Sequence, residues 1–132
     1  MIKYKSFSFI FLLFLVFICC SGIKKQKVFE DYYLVCTDYM ESDRSLSYEY
    51  EQGCFVCVVP PPIIKVIYDE NYIIAKKGGN TDTVYYIIPL KAEEKVSSWM
   101  EDNKIGPISK CDIADSIRIR RIKTEGMHTV KY

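Results

Sequence analysis

The centre of the chain carries three apolar stretches separated by two short clusters of turn-forming residues. The stretches at residues 63–68, 72–77 and 83–88 are rich in β-branched and tyrosine side chains, which favour strands. The gaps at residues 69–71 and 78–82 contain Asn, Asp and Gly, which suit tight turns. Strands joined by such short turns pair antiparallel. The sequence therefore predicts a β-meander.

Further strands are predicted before this meander. Residues 32–36 and 54–59 are apolar and rich in β-branched or aromatic side chains, and residues 46–50 alternate weakly between polar and apolar. Consecutive apolar pairs blur the alternation in the central strands, so the pattern does not say which face is buried.

A helix is predicted near the C-terminus. Ser109 is a natural N-cap, and Asp112 in the first turn would complement the helix dipole. A helix over residues 110–121 would carry Ile113 and Ile117 on one stripe, although the alternation of Ile and Arg within it also fits a strand. The predicted fold class is α+β, an antiparallel β-meander of about 4–5 strands with one C-terminal helix packed on it.

The N-terminus has the pattern of an export signal. Lys3 and Lys5 precede an apolar stretch at residues 9–18, which is followed by Cys19 and Cys20. This end resembles the lipobox of bacterial lipoproteins, in which a cysteine is acylated, for example with palmitate, and becomes the first residue. Cys20 is preferred as the lipidated residue because the small Cys19 precedes the cut. Cys19 is the alternative.

This interpretation divides the chain into a signal peptide at residues 1–19, a polar tether at 20–29 and a single small domain at 30–132. The protein would be anchored in the cell envelope, on the periplasmic or outer face, with membrane lipid as its partner through the acylated cysteine. The alternative is an uncleaved transmembrane anchor. Residues 6–23 are just long enough to span a bilayer, and lysines follow them.

The charge of the mature chain gives no case for binding nucleic acid. Loss of Lys3 and Lys5 with the signal leaves 16 basic and 17 acidic side chains. A basic cluster does lie near the C-terminus, and a solvated helix face is favoured over a phosphate or lipid-headgroup site. Its members are Arg118, Arg120, Arg121 and Lys123.

Four further cysteines remain in the mature chain: Cys36, Cys54, Cys57 and Cys111. An even number in an exported protein makes disulfides possible, with three connectivities open. Cys54 and Cys57 have the spacing of a redox CxxC motif, but the three prolines that follow exclude the helix on which such a motif depends. Only one CxxC pair is present, so no zinc site is predicted.

The sequence contains no recognisable set of catalytic residues, but it is rich in aromatic side chains that could bind a ligand. The single His lies in the tail, and neither a Gly-x-Ser-x-Gly motif nor a phosphate loop occurs. We therefore predict no enzyme activity and no cofactor or metal. Tyrosine suits interfaces, and four tyrosines near predicted loops are the candidates for a ligand-binding face. They are Tyr48, Tyr50, Tyr68 and Tyr72.

Several short sequence segments occur in an order that is typical of one protein family. They are Tyr32-Tyr33-Leu34-Val35, Val59-Pro60, Ile63-Ile64-Lys65-Val66, Tyr72-Ile73-Ile74-Ala75-Lys76, Val84-Tyr85-Tyr86-Ile87-Ile88 and Gly106-Pro107-Ile108-Ser109. In this order the chain resembles a family of small bacterial lipoproteins classed as a domain of unknown function. It differs by an insertion at residues 92–103 and by its four mature cysteines. The resemblance implies a cell-envelope location and a similar fold, but it implies no catalytic residues.

Together these observations favour a membrane-tethered, non-catalytic module that interacts with an envelope protein or has a structural role. The alternative is an envelope module that binds a sugar or peptide through an aromatic face. An arrangement of several tyrosines on one exposed face would favour recognition of such a ligand.

Overall fold

The computed structural model describes residues 24–36, 43–78, 82–91 and 104–131. The predicted signal peptide, both candidate lipidation sites (Cys19 and Cys20) and the alternative anchor at residues 6–23 lie outside the described residues. Within the described ranges, no helix is long and apolar enough to cross a membrane.

The described residues form nine β-strands and one α-helix. In chain order these are β1 (Lys24–Phe29), β2 (Tyr32–Cys36), β3 (Arg44–Glu51), β4 (Cys54–Val59), β5 (Ile63–Tyr68), β6 (Tyr72–Lys77), β7 (Val84–Pro89), β8 (Ile105–Ser109), α1 (Ile113–Ile119) and β9 (His128–Thr129). Sheet A has four strands in the order β1-β2-β3-β4, and sheet B has five in the order β8-β7-β6-β5-β9. All strand pairs are antiparallel. The predicted α+β class is confirmed, with the strands divided between two sheets.

Prolines separate the two sheets. Residues 60–62 are all proline, which lacks an N–H donor and cannot continue a strand ladder. The backbone N–H of Gly78 donates to the carbonyl of Pro62 at 3.0 Å, which places the start of β5 beside the end of β6. The chain therefore leaves sheet A after Val59 and begins sheet B at Ile63.

The main core lies between the two sheets. Leu34, Leu46 and Val59 face it from sheet A, and Val66 and Ile73 face it from sheet B, each no more than 1% exposed. Leu46 lies opposite Leu34 on one neighbouring strand and opposite Val59 on the other, so a row of apolar side chains crosses sheet A. This row buries the inner face of sheet A against sheet B.

A second core lies on the other face of sheet B. Ile74 and Ile87 point into it, and Ile122, from the segment after α1, is buried with them. Ile113 and Ile117 of α1 pack against this cluster, as their helical spacing predicts. The central strands β6 and β7 are therefore covered on both faces.

The helix is shorter than predicted. It covers Ile113–Ile119, and its N-cap is Asp112 instead of Ser109. Strand β8 continues to Ser109, which lies opposite Val84, so the chain needs a turn before the helix begins. In that turn the hydroxyl of Ser109 donates to Asp112 Oδ2 at 2.8 Å.

The polar tether predicted at residues 20–29 is wrong for its second half. Lys24–Phe29 form strand β1, which pairs with β2. Val28 is buried in the main core, and Lys24, Lys25 and Lys27 are exposed. The folded domain therefore includes Lys24–Phe29. These residues resemble a tether in sequence because an edge strand with one buried side carries many polar residues.

Tyr32 supplies a pH-dependence prediction. Burial, with the nearby Tyr48, Glu30 and Asp31, raises the pKa of Tyr32 from 10.0 to about 12. Above the unfolded pKa the unfolded state releases a proton that the native state keeps, so the free energy of unfolding should fall as pH rises between these two values. Alkaline absorbance titration and denaturation of the wild type and Tyr32→Phe would measure this. Equal alkaline losses in both proteins would show that another group is responsible.

Candidate functional site

The four candidate tyrosines do not share one face. Tyr48 is buried in the main core, where its ring packs edge-on against Tyr32 at 5.1 Å. Tyr50 is 55% exposed near the end of β3, in the other sheet from Tyr68 and Tyr72. Tyr68 ends β5 and Tyr72 begins β6, so the structure brings these two to the same turn.

The candidate disulfide cysteines lie on different elements. Cys54 and Cys57 are in β4, Cys111 is exposed in the turn before α1, and Cys36 is buried at the end of β2. Cys54, Cys57 and Cys111 are free thiols. The CxxC pair lies on a strand, as its sequence context predicts.

The chemistry of Cys57 differs from that of a redox thiol. Partial burial raises its pKa, against the opposing effects of Lys104, a hydrogen bond with Ser45, and Lys77. Reactive thiols have a lowered pKa, which keeps them as thiolate. Cys57 is therefore a weak nucleophile at neutral pH.

Two hollows adjoin at one end of sheet B, where the β5–β6 turn meets the segment that follows α1. One has a volume of about 360 Å³ and the other about 300 Å³. Asp69 and Gly126 line both, so we call them together the turn-end groove. Its lining residues are Phe29, Tyr68, Asp69, Glu70, Asn71, Tyr72, Arg121, Ile122, Lys123, Glu125, Gly126, Met127 and His128.

Asp69 shapes the β5–β6 side of this groove. Its Oδ1 accepts hydrogen bonds from the backbone N–H of Asn71 at 2.7 Å and of Tyr72 at 2.8 Å. Its own N–H donates to the carbonyl of Tyr72 at 3.0 Å. A side-chain oxygen that accepts from residues two and three positions later stabilises a tight turn. Asp69 therefore holds Tyr68 and Tyr72 on either side of the turn.

Replacing Asp69 with Ala should lower the free energy of unfolding by about 1–3 kcal/mol, because two partly buried N–H groups lose their charged acceptor. Asp69→Asn keeps an acceptor oxygen and should lose less. Chemical denaturation of the three proteins would measure the difference. Equal losses in the two variants would show that the carboxylate charge, and not the turn, is what matters.

The opposite wall begins where α1 ends. The N–H of Ile122 donates to the carbonyl of Ile117 at 3.0 Å, and the N–H of Arg121 donates to that of Arg118 at 3.1 Å. These two bonds form a Schellman motif, in which the residue after the C-cap is usually Gly. Arg121 occupies that position with φ of 55°. An arginine is thus held in the left-handed conformation at the wall of the groove, at a cost of roughly 1 kcal/mol.

Three rings form the base of the smaller hollow. Tyr68 lies between Phe29, with centroids 5.5 Å apart, and His128, with centroids 5.3 Å apart. Phe29 comes from sheet A, and His128 pairs with Tyr68 through β9. The aromatic base is therefore built from both sheets.

Charges of both signs line the turn-end groove: Asp69 and Glu70 lie in the smaller hollow with the aromatic base, and the cations lie in the larger hollow. Asp69, Glu70 and Glu125 contribute carboxylates, and Arg121 and Lys123 contribute cations. Such a mixture suits a partner that carries both charges and apolar side chains, as a protein surface does.

Part of this groove consists of residues that the sequence singles out. Tyr68 and Tyr72 are two of the candidate ligand-binding tyrosines, and Arg121 and Lys123 belong to the basic cluster near the C-terminus. Arg118 instead points to solvent and pairs with Asp115 at 3.0 Å. Phe29 and His128 were missed because they lie about a hundred residues apart in sequence and no local pattern connects them.

No family model matches the chain, and no curated protein or solved structure is significantly similar to it. The resemblance to small bacterial lipoproteins therefore stays a prediction from the sequence. Within the described ranges, no group of three or more His, Cys, Asp or Glu side chains is placed to hold a metal ion.

Proposed function

We propose that this protein is a membrane-tethered lipoprotein of the bacterial cell envelope whose folded domain binds a partner protein without catalysis. The turn-end groove is the observation that carries the binding role. It combines an aromatic base with walls of both charges, which is the composition of a protein-recognition surface.

The backbone of the groove supports a role in recognition. Arg121 occupies a left-handed position that Gly would fill more easily, and its side chain lines the groove. Strained positions of this kind cluster at functional sites. A binding role for the guanidinium accounts for an arginine at this position.

The tether is tested by intact mass. The protein from the membrane fraction should lack residues 1–19 and carry a diacylglyceryl-sized addition, and a variant with Cys19→Ser and Cys20→Ser should lose both changes. An unprocessed mass in both proteins would exclude the lipoprotein and leave the transmembrane anchor.

The binding role is tested by separating stability from recognition at Arg121. Arg121→Gly should keep or raise the free energy of unfolding, by up to about 1 kcal/mol, because Gly adopts the left-handed conformation without strain. It should also reduce cross-linking from a photoreactive residue placed at Lys123 in the intact cell, because the groove loses a cation.

Arg118→Gln is the matched control, because Arg118 is exposed and does not line the groove. It should leave the cross-linked product unchanged. If Arg121→Gly and Arg118→Gln give the same yield of product as the wild type, the groove is not the binding surface.

A further inference from the structure

The two sheets have four edge strands, and three of them are protected against pairing with another chain. Strand β1 carries three lysines. Strand β8 contains Pro107, and β9 is only two residues long. Lysine, proline and shortness are the usual means by which proteins prevent association through strand edges.

Strand β4 has none of these three features, and its one irregularity is a bulge at Val58 in its pairing with β3. Its sequence, Cys54–Val59, is six residues long and contains no charge and no proline. No strand lies beyond it in the part of the chain that the structure describes. Lys104 Nζ donates to the carbonyl of Val58 at 2.9 Å, so among the described residues the unpaired part of the edge runs from Cys54 to Cys57.

We propose that β4 is a self-association edge, at which β4 of one copy pairs antiparallel with β4 of a second copy and joins their A sheets. The contact would be isologous, with the same strand on both sides of a two-fold axis. It would use the β4 edge of sheet A and leave the turn-end groove free, because the one sheet A residue in that groove, Phe29, lies on the opposite edge strand β1.

The charges at the two ends of β4 favour a second copy in this orientation. Glu51 is exposed and lies opposite Cys54 at one end of the strand. Lys104 lies at the other end, on the carbonyl of Val58. Antiparallel pairing sets the Glu51 end of each copy beside the Lys104 end of the other. Parallel pairing would place like charges together.

The side chains along the edge are also compatible with a second copy. Phe55 and Cys57 point to the outer face of sheet A, beside Tyr33 and Ser47. Directly opposite residues in an antiparallel pair lie on the same face, so Phe55 and Cys57 of one copy would face the same two residues of the other. Phe55 and Cys57 are uncharged, so the two copies would bring no like charges together at these positions.

A charge introduced at Cys57 tests the proposal. The full chain, purified in detergent with reductant, should be dimeric by analytical ultracentrifugation, and Cys57→Ser should remain dimeric. Cys57→Glu should be monomeric at the same concentration, because it places carboxylates beside the two-fold axis. Its far-ultraviolet circular dichroism spectrum should match that of the wild type, which would show that the monomer keeps the fold. Cys111→Glu makes the same change at an exposed cysteine outside sheet A and should stay dimeric.

A charge exchange tests the orientation. Glu51→Lys and Lys104→Glu should each weaken self-association, because each places like charges together twice in its own dimer. Mixed together, one copy of each variant restores both opposite-charge pairs, so a tagged Glu51→Lys chain should retain untagged Lys104→Glu. A monomeric wild type, or a Cys57→Glu chain as dimeric as the wild type, would overturn the proposal. Failure of the mixture to pair would exclude the antiparallel arrangement.

Discussion

Replacing Leu46 with Ala should lower the free energy of unfolding by about 2–5 kcal/mol. Leu46 is 0% exposed and lies between Leu34 and Val59 in the row of side chains that packs sheet A against sheet B. The substitution removes buried apolar surface and leaves a cavity that the β-sandwich can only partly fill. A domain of this size is stable by about 5–15 kcal/mol, so the loss would be a large part of the total.

Ile119→Ala is the matched control, because Ile119 is 77% exposed on α1. It should change the free energy of unfolding by less than about 0.5 kcal/mol. Urea denaturation followed by circular dichroism would compare the two variants with the wild type. A Leu46 variant as stable as the Ile119 variant would mean that the two sheets do not pack through this row.

The central meander could be predicted in part because the turn between β5 and β6 is specified locally. The expected strands at residues 63–68 and 72–77 match β5 and β6, and the third expected strand differs from β7 (Val84–Pro89) by one residue. The intervening turn depends on hydrogen bonds to Asp69 from residues close in sequence. Turn chemistry of this kind is readable from a single sequence.

The layered arrangement could not be predicted because it depends on which faces are covered. Ile73 is buried in the main core and its neighbour Ile74 in the second core, and Ile87 and Ile88 are likewise both buried. A strand covered on both faces loses the alternation by which a buried face is recognised. The consecutive apolar pairs, which obscure the polar–apolar alternation, therefore indicate a sheet that is covered on both faces.

Only part of the turn-end groove could be predicted from the sequence, because the groove also depends on how the two sheets pack. Tyr68 and Tyr72 were chosen for their positions near a turn, and the turn does bring them together. Phe29 lies at the end of β1 and contacts Tyr68 in the groove. Because β1 is rich in lysine, its sequence did not predict a strand. Sites assembled from distant strands depend on sheet packing, which local sequence does not encode.

Replacing Gly106 with Ala should lower the free energy of unfolding by about 2–5 kcal/mol, because a backbone cost and a steric cost add. Gly106 has φ of +145°, and an added Cβ would lie 2.7 Å from the carbonyl oxygen of Tyr85 and 2.7 Å from Cδ1 of Tyr86. These atoms belong to β7, so relief of the contact requires β8 to move away from its partner strand.

Gly53→Ala separates these two costs. Gly53 has φ of +80° but nothing within 4 Å of an added Cβ, so it should lose only the conformational part, about 1 kcal/mol. Denaturant midpoints of both variants would measure the difference, and hydrogen exchange at Ile108, opposite Tyr85, would report whether β8 loosens. Equal losses at the two glycines would mean that β8 adjusts without strain and that the close approach to β7 does not fix its register.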